Sequence, residues 1–326
     1  LITANDLLIK ANDFTANNAD LTASNTINLS SKVLAINNGS ELLANNIIIS
    51  ASSVNDAQNN FLIKNSKITA LDTAKLTITD DVLIDEDDIF TDTHNLELQV
   101  NSLENKSVLS VKNNLLITSQ GHITNSQYLS AGNLLSLTAK GNILNNVGID
   151  PLKKEGIQGK FVNLTADGSL INRSILTSQK DMNLKAADIT NYGAIASYND
   201  IDGDSTLTME ANNLYNYNLI LSDDSINLYI KNNLLNETND DIVNGVDRAR
   251  IQALDTLNIY GNKDKTQRTQ SITNDKGVIE TQYGDINIYA QEFYNNLDTF
   301  SLSESRTNGI SFTLNKAYSA ASNKYY

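Results

Sequence analysis

GNLLSLTAKGNILNN, residues 132–146, holds the pattern that decides the fold. Leu135, Leu137 and Ala139 alternate with Ser136 and Thr138, the period of a strand with one buried face. Asn145 follows, eight residues after Leu137. The same phrase runs from Leu29 to Asn37, Leu98 to Asn105, Ile117 to Asn125, Leu164 to Asn172, Leu184 to Asn191, Met209 to Asn216, Leu228 to Asn236 and Ile288 to Asn295. From Asn105 through Asn125 to Asn145 the step is 20 residues, and later steps of 27, 19, 25 and 20 read as loops inserted into some units. A period in this range marks a solenoid. No segment sustains a 3.6-residue pattern. A unit of about 20 residues has room for two or three short strands, and stacking such units gives a parallel β-helix in which neighbours complete each coil's core.

The asparagines have a physical task in this picture. A coil must turn a corner after each strand, which calls for positive φ or a side chain that bonds the local backbone, and Asn supplies both. Stacked at one corner, Asn amides can also bond from coil to coil. The chain has 48 Asn, 15 Gly and a single Pro. An Asn-rich disordered chain is the competing reading, but 40% apolar residues in strict alternation is not a disordered composition.

Net charge is −14, which argues against a broad basic groove and so against nucleic acid as partner. Basic residues cluster at Lys153, Lys154 and Lys160, and at Lys263, Lys265 and Arg268, both read as solvated loops. There is no Cys, and no run of 18 apolar residues, so membrane insertion by this segment is not expected. The chain opens inside a repeat-like phrase, LITANDLLIK (1–10), and the reading expects a piece of a longer filament.

Three regions are expected. Residues 1–100 carry the least regular coils and an acidic stretch, TDDVLIDEDDIFTDTHN (79–95). Residues 101–300 carry the clearest repeats, with insertions read at 147–160, 236–250 and 261–270. Residues 301–326 drop the phrase and form a divergent tail or cap. Twelve of the 13 Tyr lie after residue 190. Tyr229, Tyr260 and Tyr289 share one slot, held in earlier coils by Ser30, Thr118, Thr138 and Thr165. With Ile226, Leu228 and Ile230 inward, Tyr229 points outward. These three, with Tyr215 and Tyr217, are the candidate partner-binding residues, since exposed Tyr is favoured at interfaces. The plainer account is good β propensity and pairing between coils.

The phrases GNLLSLTAKGNILNN (132–146), FVNLTADGSLINRSILTS (161–178) and GVIETQYGDINIYAQEFYNN (277–296) resemble the haemagglutinin repeats of two-partner secretion exoproteins, namely filamentous haemagglutinin and the CdiA-type effectors of contact-dependent growth inhibition. The likeness covers about 100–300 well and 1–100 loosely. It implies a right-handed parallel β-helix, secreted or held at the surface of a Gram-negative bacterium. It also implies an outer-membrane transporter exporting the full-length protein, and an outer-membrane protein or lipopolysaccharide receptor on a neighbouring cell. Neither the family's secretion domain nor a toxin domain is recognisable, so the expected role is a non-enzymatic receptor-binding segment. A generic adhesin shaft binding host surface or glycan is the second reading, and a β-helical polysaccharide lyase or hydrolase the third.

An enzyme of that last kind needs carboxylates held together on a strand face. Asp85, Glu86, Asp87 and Asp88 are consecutive and read as a solvated run, and His94 and His122 lie in different coils with no motif around them. No cofactor is expected. Calcium is the better-motivated ion, because Asp200, Asp202 and Asp204 have the spacing of the first ligands of a calcium loop. However, Ser205 and Ala211 stand where an EF-hand wants Gly and Glu, and a surface turn is the favoured reading.

Overall fold

The computed structural model describes residues 1–54, 63–86, 90, 92–146, 156–198, 205–238 and 248–296. Among them there is no helix, and the strands pair in parallel with counterparts about one coil away. This is a parallel β-helix. The chain forms two compact units, Leu1–Asp167 and Gly168–Tyr326.

In the first unit a coil is plainest in Asn95–Val100, Leu103–Asn105 and Leu109–Val111, three short strands on three faces. They pair with Leu115–Ser119, with Ile123–Asn125 and with residues 129–131 of the long strand Tyr128–Ala139. That strand shifts register between Ala131 and Leu134, and its second part returns to the first face beside Leu115–Ser119. The coils before residue 100 stack in the same way. Ile2–Lys10 and Asp13–Asn17 both pair with Asp20–Asn37, which pairs with Glu41–Val54, and that strand with Lys67–Ile78.

Alternation places every second side chain inside. Leu96, Leu115, Leu135 and Val162 therefore form one in-register column, each at most 1% exposed. In the second unit Met182, Leu207, Ile226, Leu257 and Ile286 form the matching column, and Ile189, Leu214, Leu234, Ile272 and Phe293 run along the next face. Burial of one such side chain contributes about 1.5–3 kcal/mol. Ordering the backbone costs about 1–2 kcal/mol per residue. A single coil has too few inward residues to offset that cost, and stacked neighbours remove the remaining apolar area from water.

One part of the expected insertion at 147–160 is strand. Gly156–Ala166 begins with the residues GIQGK, which pair in register with Tyr128–Ala131. Gly156 and Gly159 look like turn signals in sequence, but between them Ile157 faces the core at 1% exposure and fixes the pairing. Residues 147–155 lie outside the described part, as do Asp87 and Asp88 of the acidic stretch, residues 239–247 and the tail from 297.

Candidate functional site

The asparagines are the scaffold of every surface described below. In the first unit Asn105 donates through Nδ2 to Oδ1 of Asn125, and Asn125 to Asn145, at 2.9 Å each. In the second unit the chain of bonds runs Asn172, Asn191, Asn216, Asn236, Asn274, Asn295, at 2.7 to 2.9 Å. Asn105, Asn125, Asn172, Asn191, Asn216 and Asn274 also bond their own corners. Asn172 donates to the carbonyl of Ser174 and accepts from the Ser174 N–H, and Asn216 does the same with Asn218. Both donor hydrogens and the acceptor oxygen are used, which is what lets residues such as Asn105, Asn172 and Asn216 sit at 0% exposure.

Two expectations change. The ladder residues do not adopt positive φ. That role falls to Asn18, Asn38 and Asn65 in the early coils, with φ of 49°, 54° and 47°. Asn37 belongs to these early coils. It is half-buried at the end of its strand, paired with Asn17, and its carbonyl accepts from the Asn18 N–H and the Ser40 hydroxyl. Asn274 is a full ladder member that the phrase missed, because the 261–270 insertion displaces it from the usual spacing.

Two outward columns on the second unit carry aromatic rings. The first follows the ladder by one residue. Arg173 lies over the ring of Tyr192 at 5.2 Å, and Tyr192 stacks on Tyr217 with centroids 5.0 Å apart and planes within 9°. Burial raises the Tyr217 hydroxyl above the ordinary tyrosine range, helped by Tyr192, Glu237 and Tyr215. Tyr215 sits half-buried on the adjoining strand face, between Thr190 and Leu235. Tyr192 was not singled out by sequence. Its signal was present in the position directly after Asn191, which matches that of Tyr217 after Asn216.

The second column holds the expected tyrosines. Lys185 and Glu210 are ion-paired at 2.7 Å, and Glu210 is in register with Tyr229, and Tyr229 with Tyr260. Tyr289 follows, its ring 6.2 Å from that of Tyr260. The expectation that all three face solvent is corrected at Tyr229, which is only 8% exposed. It does point away from the core, but Glu210 and Tyr260 flank it in the column and leave little of the ring in water. Burial, and then Tyr260, raise its hydroxyl above the ordinary tyrosine range. Tyr260 and Tyr289 are half-buried.

The insertion after Tyr260 folds against this column. Asn262 Oδ1 accepts from the N–H groups of Thr266 and Gln267 at 2.9 Å, and the Gly261 N–H donates to the Gln267 carbonyl at 2.8 Å. This short closed loop brings Lys265 over Tyr260 at 5.3 Å and Arg268 over Tyr289 at 5.0 Å. The basic cluster read as a solvated loop is exposed, as expected, but two of its cations are placed on rings. Beside it lies a groove of about 490 Å³ between Lys231 and Asn232 of one coil, Gln267 and Arg268 of the loop, and Tyr289 and Gln291 of the next coil.

Asp200, Asp202 and Asp204 lie outside the described residues. Among the described residues, no group of three His, Cys, Asp or Glu is placed to share a metal. His94 and His122 are both exposed, and His122 Nδ1 accepts from the Asn142 N–H at 2.9 Å.

Fold and surface together define an Asn-laddered parallel β-helix with a tyrosine and cation face on its second unit. Compared with known proteins, the chain matches no family model, no curated protein and no solved structure.

Proposed function

We propose that this chain is the receptor-binding segment of a cell-surface effector of contact-dependent growth inhibition. It recognises an outer-membrane component of a neighbouring Gram-negative bacterium and carries out no chemistry itself. Its export as part of a longer protein through a two-partner secretion transporter belongs to the same proposal. Two things support this reading: the haemagglutinin-like repeat phrases, and one observation in the second unit. There the outward column changes from the Lys185–Glu210 pair to Tyr229, Tyr260 and Tyr289, and a cation-bearing loop packs on it. A shaft needs its inner columns and its Asn ladder repeated. Nothing in that stacking requires an outward column to become aromatic, whereas clustered Tyr and Arg are what binding hot spots are made of. The rigid ladder would present them with little ordering entropy left to lose.

The test is binding of the labelled chain to Gram-negative cells across a library of outer-membrane mutants. Saturable binding that disappears with one surface component is the expected result. Absence of binding to bacteria, with binding to host cells or glycans, would replace this reading with that of an adhesin shaft.

A further inference from the structure

We propose that the groove beside Tyr289 binds an acidic oligosaccharide, a sugar chain whose charge is carried by carboxylate or phosphate groups. This rests on the reading of the tyrosine face as a recognition surface and gives its partner a chemistry. At about 490 Å³ the groove is in the range of small-ligand sites. Its wall carries four side-chain amides, from Asn232, Gln267, Gln270 and Gln291, together with Lys231, Arg268 and the Tyr289 ring. Amides both donate and accept, which suits a ligand dense in hydroxyls. The lining is mostly polar, which suits a hydroxyl-rich ligand better than an apolar side-chain anchor.

The charge is also specific. Among the described residues Lys231, Lys265 and Arg268 are exposed and none is in an ion pair, while the chain as a whole carries −14. Asp264 is the one acid within the loop. Arg268 is held over Tyr289 at 5.0 Å, so its planar fork of donors is oriented before a ligand arrives. A guanidinium so placed suits the paired oxygens of a carboxylate or phosphate. The other aromatic stack is a poorer sugar platform, because Arg173 lies over the Tyr192 ring and Tyr217 stacks on it.

The experiment is titration calorimetry of the purified chain at low salt. The probes are oligogalacturonate, a phosphorylated oligomannose, a neutral malto-oligosaccharide of equal length, and inorganic phosphate. Saturable binding of at least one acidic sugar is expected, with none to the neutral chain. The affinity should fall at least tenfold in Arg268→Gln and in Lys231→Gln, and which sugar binds identifies the charge. Both side chains are exposed, so folding should be unaffected. Gly261→Ala provides a second variant: its Cβ would lie 2.4 Å from the Arg268 carbonyl oxygen, so it displaces the loop without removing a cation and should also lose binding. The proposal is overturned if neither acidic sugar binds, if the variants bind as the parent does, or if phosphate alone binds as tightly as the sugars. Cell binding separates the two readings. Equal binding of parent and Arg268→Gln to bacteria would retain the recognition segment and remove the groove. Sugar binding without cell binding would do the reverse.

Discussion

Asn216 donates its side-chain N–H to Oδ1 of Asn236 at 2.7 Å, and both residues are completely buried. Asn236 repeats the act toward Asn274 at 2.7 Å, so every amide of the second unit's ladder points the same way along the chain. A buried amide lacking partners would be a liability. Here an amide inside the ladder, such as Asn191 or Asn216, joins three segments: its own corner, the coil before and the coil after. Aligned bonds of this kind polarise one another in a low-dielectric interior. The ladder therefore sets register as well as adding stability, since a slip of one residue would leave a full set of amides without partners.

Asn216→Ala should for this reason cost more than the loss of one hydrogen bond. It strands the Asn236 acceptor, a donor of Asn191 and the Asn218 N–H at the corner, while the Asn218 carbonyl keeps its bond from the Arg250 N–H. Each buried group left unpaired costs about 1–3 kcal/mol. A loss of at least about 2 kcal/mol is expected, read as a lower urea midpoint. Asn25→Ala is the control. Asn25 is exposed and bonds only Asp6 at the surface, and its change should stay within about 0.5 kcal/mol. Equal effects of the two would show that the ladder does not carry stability.

The corner geometry makes a second prediction. Gly193 lies two residues after Asn191, and a Cβ there would stand 2.0 Å from the carbonyl oxygen of the buried Ser174. That neighbour is backbone and cannot swing aside. Gly193→Ala should destabilise the second unit by about 1–3 kcal/mol through overpacking, seen as a lower melting temperature. An unchanged melt would mean the coil spacing at this corner is softer than the ladder implies.

How far the sequence could be read follows from these same residues. Alternation at Leu135, Leu137 and Ala139 and the recurring Asn were enough for the parallel β-helix, because a solenoid's core is a local pattern repeated. Asn274 was missed because the loop after Tyr260 puts it 15 residues after Ile259, where the phrase expects seven or eight. The tyrosine slot was legible, but Tyr229's burial was not. Pointing outward is decided by strand period, whereas exposure depends on what the flanking coils and loops place beside the ring. The contacts of Lys265 and Arg268 were illegible for a related reason: the loop is closed by Asn262, and loop closure is not a periodic signal.

Burial of two tyrosines makes the fold sensitive to alkali. The hydroxyls of Tyr229 and Tyr217 are raised above 10.0, first by desolvation. In the unfolded chain they ionise at the ordinary value, so above it the unfolded state has fewer protons bound than the folded one. Stability is thus intact below that pH and declines as pH rises through the folded values. Tyr229→Phe should flatten part of this alkaline decline and leave the neutral melt nearly unchanged. Absorbance titration of the parent should show tyrosines ionising later than free tyrosine. If Tyr229→Phe has the same alkaline limb as the parent, Tyr229 is not a source of it.

The corrected position of Tyr229 also determines how the recognition surface is tested. Replacing Tyr229, Tyr260 and Tyr289 together would confuse binding with folding, because the first is 8% exposed and the others are half-buried. Tyr229→Ser alone should lower the melting temperature, since an aromatic side chain is removed from a packed column. Tyr260→Ser with Tyr289→Ser should hold the fold, because the inner columns through Leu257, Ile259, Ile286 and Ile288 remain. It should reduce cell binding, both by removing the rings and by releasing Lys265 and Arg268 from them. A double variant that folds and binds cells as the parent does would exclude this column from the contact surface, and recognition would then have to be sought on another face.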